Sequence, residues 1–86
     1  MQITATLFVE AGRALFGDEW KRPLAALLEM NERTVFRIAA AARTGEGYRI
    51  NPAIGPVLAE HLARRADQAE AQAVEARRLA KLLSAD

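Results

Sequence analysis

The 86 residues contain no cysteine, so disulfides and thiolate metal sites are excluded. His61 is the single histidine. One imidazole cannot make a typical zinc site, and no nucleophile stands at a recognisable spacing from it. The acidic residues are scattered, with no paired-carboxylate motif. Gly45 and Gly47 form a Gly-x-Gly, but no predicted strand precedes it and no further glycine completes a phosphate-cradling loop. The sequence therefore predicts no enzyme, no metal, no cofactor and no small-molecule ligand. Continuous apolar stretches such as Ile38 to Ala42 fall far short of the roughly 20 residues that span a bilayer. A basic segment followed by an apolar run is also missing from the first residues, so neither a signal peptide nor a membrane anchor is expected. The default compartment is the cytoplasm. Excess charge of one sign is lacking too: the net charge is +1, which by itself gives little support to a nucleic-acid partner.

What is present is an ordinary globular composition, 51% hydrophobic and 27% charged. A chain this short buries a modest core and is often helped by a second subunit. It reads as one structural domain in two regions, 1–51 and 52–86. Charge is unevenly spread. Between Trp20 and Asn51 the bases are Lys21, Arg22, Arg33, Arg37, Arg43 and Arg49, against Glu29, Glu32 and Glu46.

The hydrophobic period predicts a helix from about Thr4 to Phe16, with Leu7, Phe8, Ala11, Ala14 and Leu15 as its apolar face. Gly12 inside it implies close packing against another helix, and Gly17 a stop. Asp18 is a candidate N-cap for the next helix, which carries Leu24, Ala25, Leu27 and Leu28. Pro23 must lie in its first turn, so that helix starts between Asp18 and Arg22 and ends near Glu29. Trp20 is expected in the core or hinge. A third helix, about 31–44, begins at the N-cap Asn31 and buries Val35, Ile38, Ala39 and Ala42. Arg33, Phe36, Arg37 and Arg43 lie off that stripe. After a loop over 44–51, a long helix starts at Asn51–Pro52 or at Gly55–Pro56. It runs to Leu83 without glycine or proline, about 40 Å at 1.5 Å per residue.

Residues 21–38 are the informative stretch. Two short helices meet through Glu29, Met30 and Asn31, with Leu24, Leu28 and Val35 apolar where a bihelical unit closes, and with small Ala25 where the helices approach. The second helix then offers Glu32, Arg33, Phe36 and Arg37 outward, as a helix entering the major groove would.

At these positions the sequence resembles the helix-turn-helix superfamily of bacterial and phage regulators, many of which read L-A-x-x-L-G-V-S-x-R-T-V-x-R-W. Here the chain has Leu24, Ala25, Leu28, Arg33, Thr34, Val35 and Arg37 in register. Three of its differences matter most. Glu29 replaces the turn glycine, so the turn is either built without positive φ or strained at Glu29. Ile38 replaces a common tryptophan. Phe36 stands where a polar or basic reader is more usual. The loop Glu46-Gly47-Tyr48-Arg49, followed by Pro52, is similar to the E-G-Y-R-x-x-P loop of the small anti-CRISPR-associated regulators, which are dimeric repressors.

The resemblance implies that Arg33 and Arg37 face the groove, where an arginine bonding two guanine acceptors is worth about 1–3 kcal/mol of discrimination. It places Asn31, Glu32 and Thr34 near phosphate or base edges, and Lys21 and Arg22 at the flanking phosphate. Tyr48 and Arg49 would touch the backbone or the minor groove. Each has a plainer alternative: Arg33 pairing with Glu29, Asn31 and Thr34 serving the helix terminus, Tyr48 packing on its own domain. Phe36 either touches a thymine methyl or is buried against the first helix or a second copy, and burial is the preferred reading.

In the long helix Leu62, Ala66, Ala69, Ala73, Ala76, Ala80 and Leu83 recur at alternating spacings of four and three, the coiled-coil period. With Leu58 they are the candidate dimer seam. In a parallel pair Arg65 approaches Glu70 of the other chain, although parallel and antiparallel arrangements are both open. An alternative is that the helix folds back on its own domain. The expectation is thus an all-α helix-turn-helix domain of three to four helices with a long C-terminal helix. It would act as a homodimeric, autoregulatory repressor on palindromic double-stranded DNA. The competing expectation is a protein-binding module of the same shape, such as an antitoxin, an anti-CRISPR inhibitor or an adaptor.

Overall fold

The computed structural model describes residues 3–84, so the outermost residues of the two predicted regions, 1–2 and 85–86, lie outside it. Four α-helices and no strand occur among the described residues: α1 (Ala5–Phe16), α2 (Lys21–Leu28), α3 (Glu32–Thr44) and α4 (Ile54–Ser84). One 3-10 turn, Gly17–Glu19, separates α1 from α2. The chain is a small all-α protein with a long C-terminal helix, as expected.

Helix α1 starts where the Thr4 hydroxyl accepts from the Leu7 N–H at 3.1 Å. It stops at Gly17, whose φ of 76° an L side chain rarely adopts. Its buried face is Ala5, Phe8, Ala11 and Gly12, which keeps Phe8 and Ala11 of the expected face and drops the rest. Leu7 is 42% exposed, Ala14 is exposed and Leu15 half-buried. The face is turned because Trp20 folds back over Gly12, which centres the contact on the Phe8–Gly12 edge. The Phe8 and Trp20 rings meet edge to face with centroids 6.2 Å apart.

Asp18 does not cap α2. It lies in the 3-10 turn, and the N-cap position belongs to Trp20, which makes no side-chain cap bond. The indole is instead committed to the core at 1% exposure. Helix α2 begins at Lys21, placing Pro23 third, where its missing N–H costs no helical bond. Leu24 makes the first i to i−4 bond, donating to the Trp20 carbonyl at 2.9 Å.

The turn between α2 and α3 is closed by two crossed bonds. Met30 N–H donates to Ala25 O at 2.8 Å and Glu29 N–H to Ala26 O at 3.3 Å, the paired pattern of a Schellman ending. That pattern needs a left-handed residue, and Glu29 supplies it at φ 54°, ψ 40°. Of the two possibilities left by the missing glycine, strain at Glu29 is the one realised. Asn31 then restarts the chain, its side-chain oxygen accepting from the Arg33 N–H at 2.9 Å.

Phe8, Trp20, Leu24, Val35 and Ile38 are the largest fully buried side chains and form the centre of the core. In α3 the buried stripe is Val35, Ile38, Ala39 and Ala41, while Ala42 is only half-buried. Ile50, from the loop after α3, and Leu58, from the base of α4, complete the core.

Helix α4 begins between the two expected starts. The Ile54 N–H donates to Asn51 O, and the Asn51 side chain accepts from Ala53 N–H, both at 3.0 Å. Its first turns pack on α1. Leu58 is buried there at 5% exposure, so it belongs to this chain's core and is withdrawn from the expected dimer seam. Beyond Leu62, every described residue of α4 is exposed except half-buried Ala73. The helix therefore projects and does not fold back. The molecule measures 57 × 23 × 21 Å, and its radius of gyration is 16.6 Å where a compact chain of this length would have about 12 Å. Solvent-exposed Arg64–Glu60 and Arg78–Glu75 ion pairs lie along the rod. No described helix is long and apolar enough to cross a membrane.

Candidate nucleic-acid interface

Helix α3 has one face on the core and one in water. By the helical period, Arg33, Phe36, Arg37, Arg43 and Thr44 share the outer side, with Ala40 at its middle. All but Ala40 are exposed, and Ala40 is half-buried. The face is basic at both ends and carries one large apolar side chain.

Arg33 does not pair with Glu29: the ion pairs among the described residues lie in α4. Arg33 and Arg37 extend from successive turns of one helix, so two guanidinium forks are presented together. Neither is committed to a carboxylate among the described residues. Asn31 serves as the cap, which fixes the first turn from which Arg33 emerges. Glu32, in that first turn, is exposed and favourably placed at the positive end of the helix dipole. Thr34 is half-buried and lies off the outer face, so it is less available than Arg33.

Phe36 is not buried against α1. It is 43% exposed, and the Lys21 ammonium sits 5.2 Å from its ring centroid. That cation–π contact holds Lys21 over the outer face of α3, so the start of α2 and the middle of α3 form one surface. Lys21, Arg22, Pro23 and Phe36 line a shallow cleft there together with Asp18 and Glu19. Arg22 is exposed, whereas Lys21 is half-buried by its stem.

Tyr48 and Arg49 are elsewhere. They line a cleft between the loop after α3 and the start of α1, beside Thr4, Thr6 and Gly45. Tyr48 is half-buried against the core and Arg49 exposed. They lie past the C-terminal end of α3, about 20 Å along the helix from Asn31. The site therefore divides into a main surface, Lys21, Arg22, Arg33, Phe36 and Arg37, and a separate loop edge.

Two further bases border the main surface. Arg13 of α1 and Arg43 of α3 line a groove with Lys21, Glu10 and Asp18. Arg43 is legible in sequence, since it follows Phe36 by seven positions. Arg13 comes alongside only through the α1–α3 packing. No cluster of three metal-ligating side chains occurs among the described residues.

The seam residues Ala66, Ala69, Ala76, Ala80 and Leu83 are all exposed on the projecting rod, while Leu62 is half-buried at its base. Compared with protein-family models, curated proteins and solved structures, the chain gives no match.

Proposed function

We propose that the chain is a sequence-specific double-stranded-DNA-binding repressor that acts as a homodimer and inserts α3 into the major groove. One observation carries the reading: a capped helix following a tight turn presents Arg33 and Arg37 on one face, exposed and without an ion-pair partner among the described residues. Such forks match the two acceptors of guanine, and Lys21 and Arg22 at the head of α2 suit the flanking phosphates. Two copies would read a palindrome with half-sites about 34 Å apart. Autoregulation follows the likeness of the Glu46–Arg49 loop to the anti-CRISPR-associated repressors. The cytoplasm is the compartment this role requires.

A gel-shift with DNA upstream of the chain's own gene, run across a salt series, tests the reading. Binding that weakens steeply with salt supports it, since each neutralised phosphate contributes about 0.9 to the logarithmic slope. Salt-tolerant capture of a protein in place of DNA supports the second reading, a protein-binding module. The observation that favours this alternative is Phe36, exposed at 43% on the outer face of α3.

A further inference from the structure

The rod of α4 and the apolar groove at its base are separated along one helix, and they match. The groove, about 490 Å³, lies between α1 and the first turns of α4, where Leu7, Ala11, Pro56, Ala59 and Leu62 line it. Leu7 is left 42% exposed beside it. At the far end of the same helix Leu83 is 86% exposed and Leu79 45%. Between them the face continuing from Leu62 is alanine: Ala66, Ala69, Ala73, Ala76 and Ala80.

The geometry points to an antiparallel pairing of α4 with α4 of a second copy, in which each chain's Leu83 enters the groove of its partner. The inference rests on the dimeric reading above and adds its direction, its register and a role for the groove. With the two-fold axis beside residue 71, Ala59 faces the partner's Leu83. Leu62 faces the partner's Ala80, Ala66 the partner's Ala76, and Ala69 the partner's Ala73. Every leucine meets an alanine and no layer holds two leucines, so the two helices can approach closely along their length. A parallel pair would instead set Leu62 on Leu62 and Leu83 on Leu83 at the ends of an alanine stretch. The helices would then splay at both ends and leave the alanine layers apart. An alanine seam alone buries little apolar area. Seating Leu83 in the partner's groove adds the apolar area that the seam lacks, and does so twice by symmetry.

The flanking charges make the direction testable. In the antiparallel register Glu70 approaches the partner's Glu70, whereas in a parallel pair it approaches the partner's Arg65. Glu70→Gln should therefore tighten an antiparallel dimer about two- to fivefold, by relief of a surface repulsion, and loosen a parallel one.

The decisive experiment uses the absence of native cysteine. Ala66→Cys and Ala76→Cys chains are prepared singly, mixed, and oxidised, with sedimentation recording the oligomeric state and a gel-shift recording DNA binding. Disulfide dimers formed only in the mixture are expected, because in the antiparallel register like positions lie about 15 Å apart along the axis. Dimers formed by each variant alone would overturn the direction and leave the dimeric repressor standing. A monomer at all concentrations would overturn the pairing itself, while specific DNA binding by that monomer would preserve the DNA reading.

Discussion

Gly12 of α1 and Trp20 at the head of α2 occupy one space. A Cβ on residue 12 would lie 2.3 Å from the Trp20 Cε3, well inside contact distance. The indole is rigid, 1% exposed, and also packed on Phe8, so it has nowhere to yield. The contact ties α1 to the head of α2, one of the two helices that carry the outer basic face. Gly12→Ala should therefore destabilise the protein by about 1–3 kcal/mol, the usual cost of overpacking a filled core. Denaturant unfolding followed by tryptophan fluorescence measures it. An unchanged midpoint would mean that the Trp20 ring is not seated on α1.

Glu29 offers a change of opposite sign. A left-handed backbone costs an L residue roughly 1–2 kcal/mol. Glycine avoids that cost and loses about 0.5–1 kcal/mol in chain entropy. Glu29→Gly should raise stability by about 0.5–1 kcal/mol net, and Glu29→Val should lower it. A destabilised Glu29→Gly protein would contradict the left-handed assignment at the turn.

The cap at Asn31 should behave as a separable unit. Asn31→Ala removes the acceptor for the Arg33 N–H and is expected to cost about 1 kcal/mol, while Asn31→Asp retains most of it. Thermal melts of the three proteins rank them, and equal loss in both variants would mean that the side chain does more than cap.

Glu75 provides a pH control. The Arg78 guanidinium bonded to it holds its carboxyl below the ordinary carboxylate range. A depressed folded-state value stabilises above the unfolded carboxylate's range and loses that contribution as pH falls through the folded one. The pair is fully exposed, where solvent screening leaves it little weight. The acid limb of a stability–pH curve should therefore be the same for wild type and Glu75→Gln, and a clear difference would assign the pair a structural role.

The two short helices and the turn between them were legible because their signals are local. Asn31 acts on a backbone N–H two positions on, and Leu24, Ala25 and Val35 are buried as their type and spacing indicate. The glycine missing at position 29 left two outcomes that only backbone geometry separates. The face of α1 was placed rightly at Phe8 and Ala11 but not at Leu7, because Leu7 and Phe8 are equally apolar in sequence. Which of them is buried depends on Trp20, whose return onto Gly12 is a tertiary event. Asp18 has the composition of a cap, yet burial of Trp20 moved the helix start past it. Phe36 was expected under cover, and the Lys21 contact that holds it at the surface joins residues fifteen positions apart. In α4 the period proposes a seam, but only packing shows that Leu58 at its base is already taken by α1.

The account stands or falls on Arg33 and Arg37. A gel-shift with the DNA upstream of the chain's own gene should compare wild type with Arg33→Ala/Arg37→Ala, with circular dichroism confirming that both are folded. A specific shift by wild type that the double variant loses is the predicted result. No specific shift at low salt, or one that survives both substitutions, would contradict α3 as the DNA-reading helix.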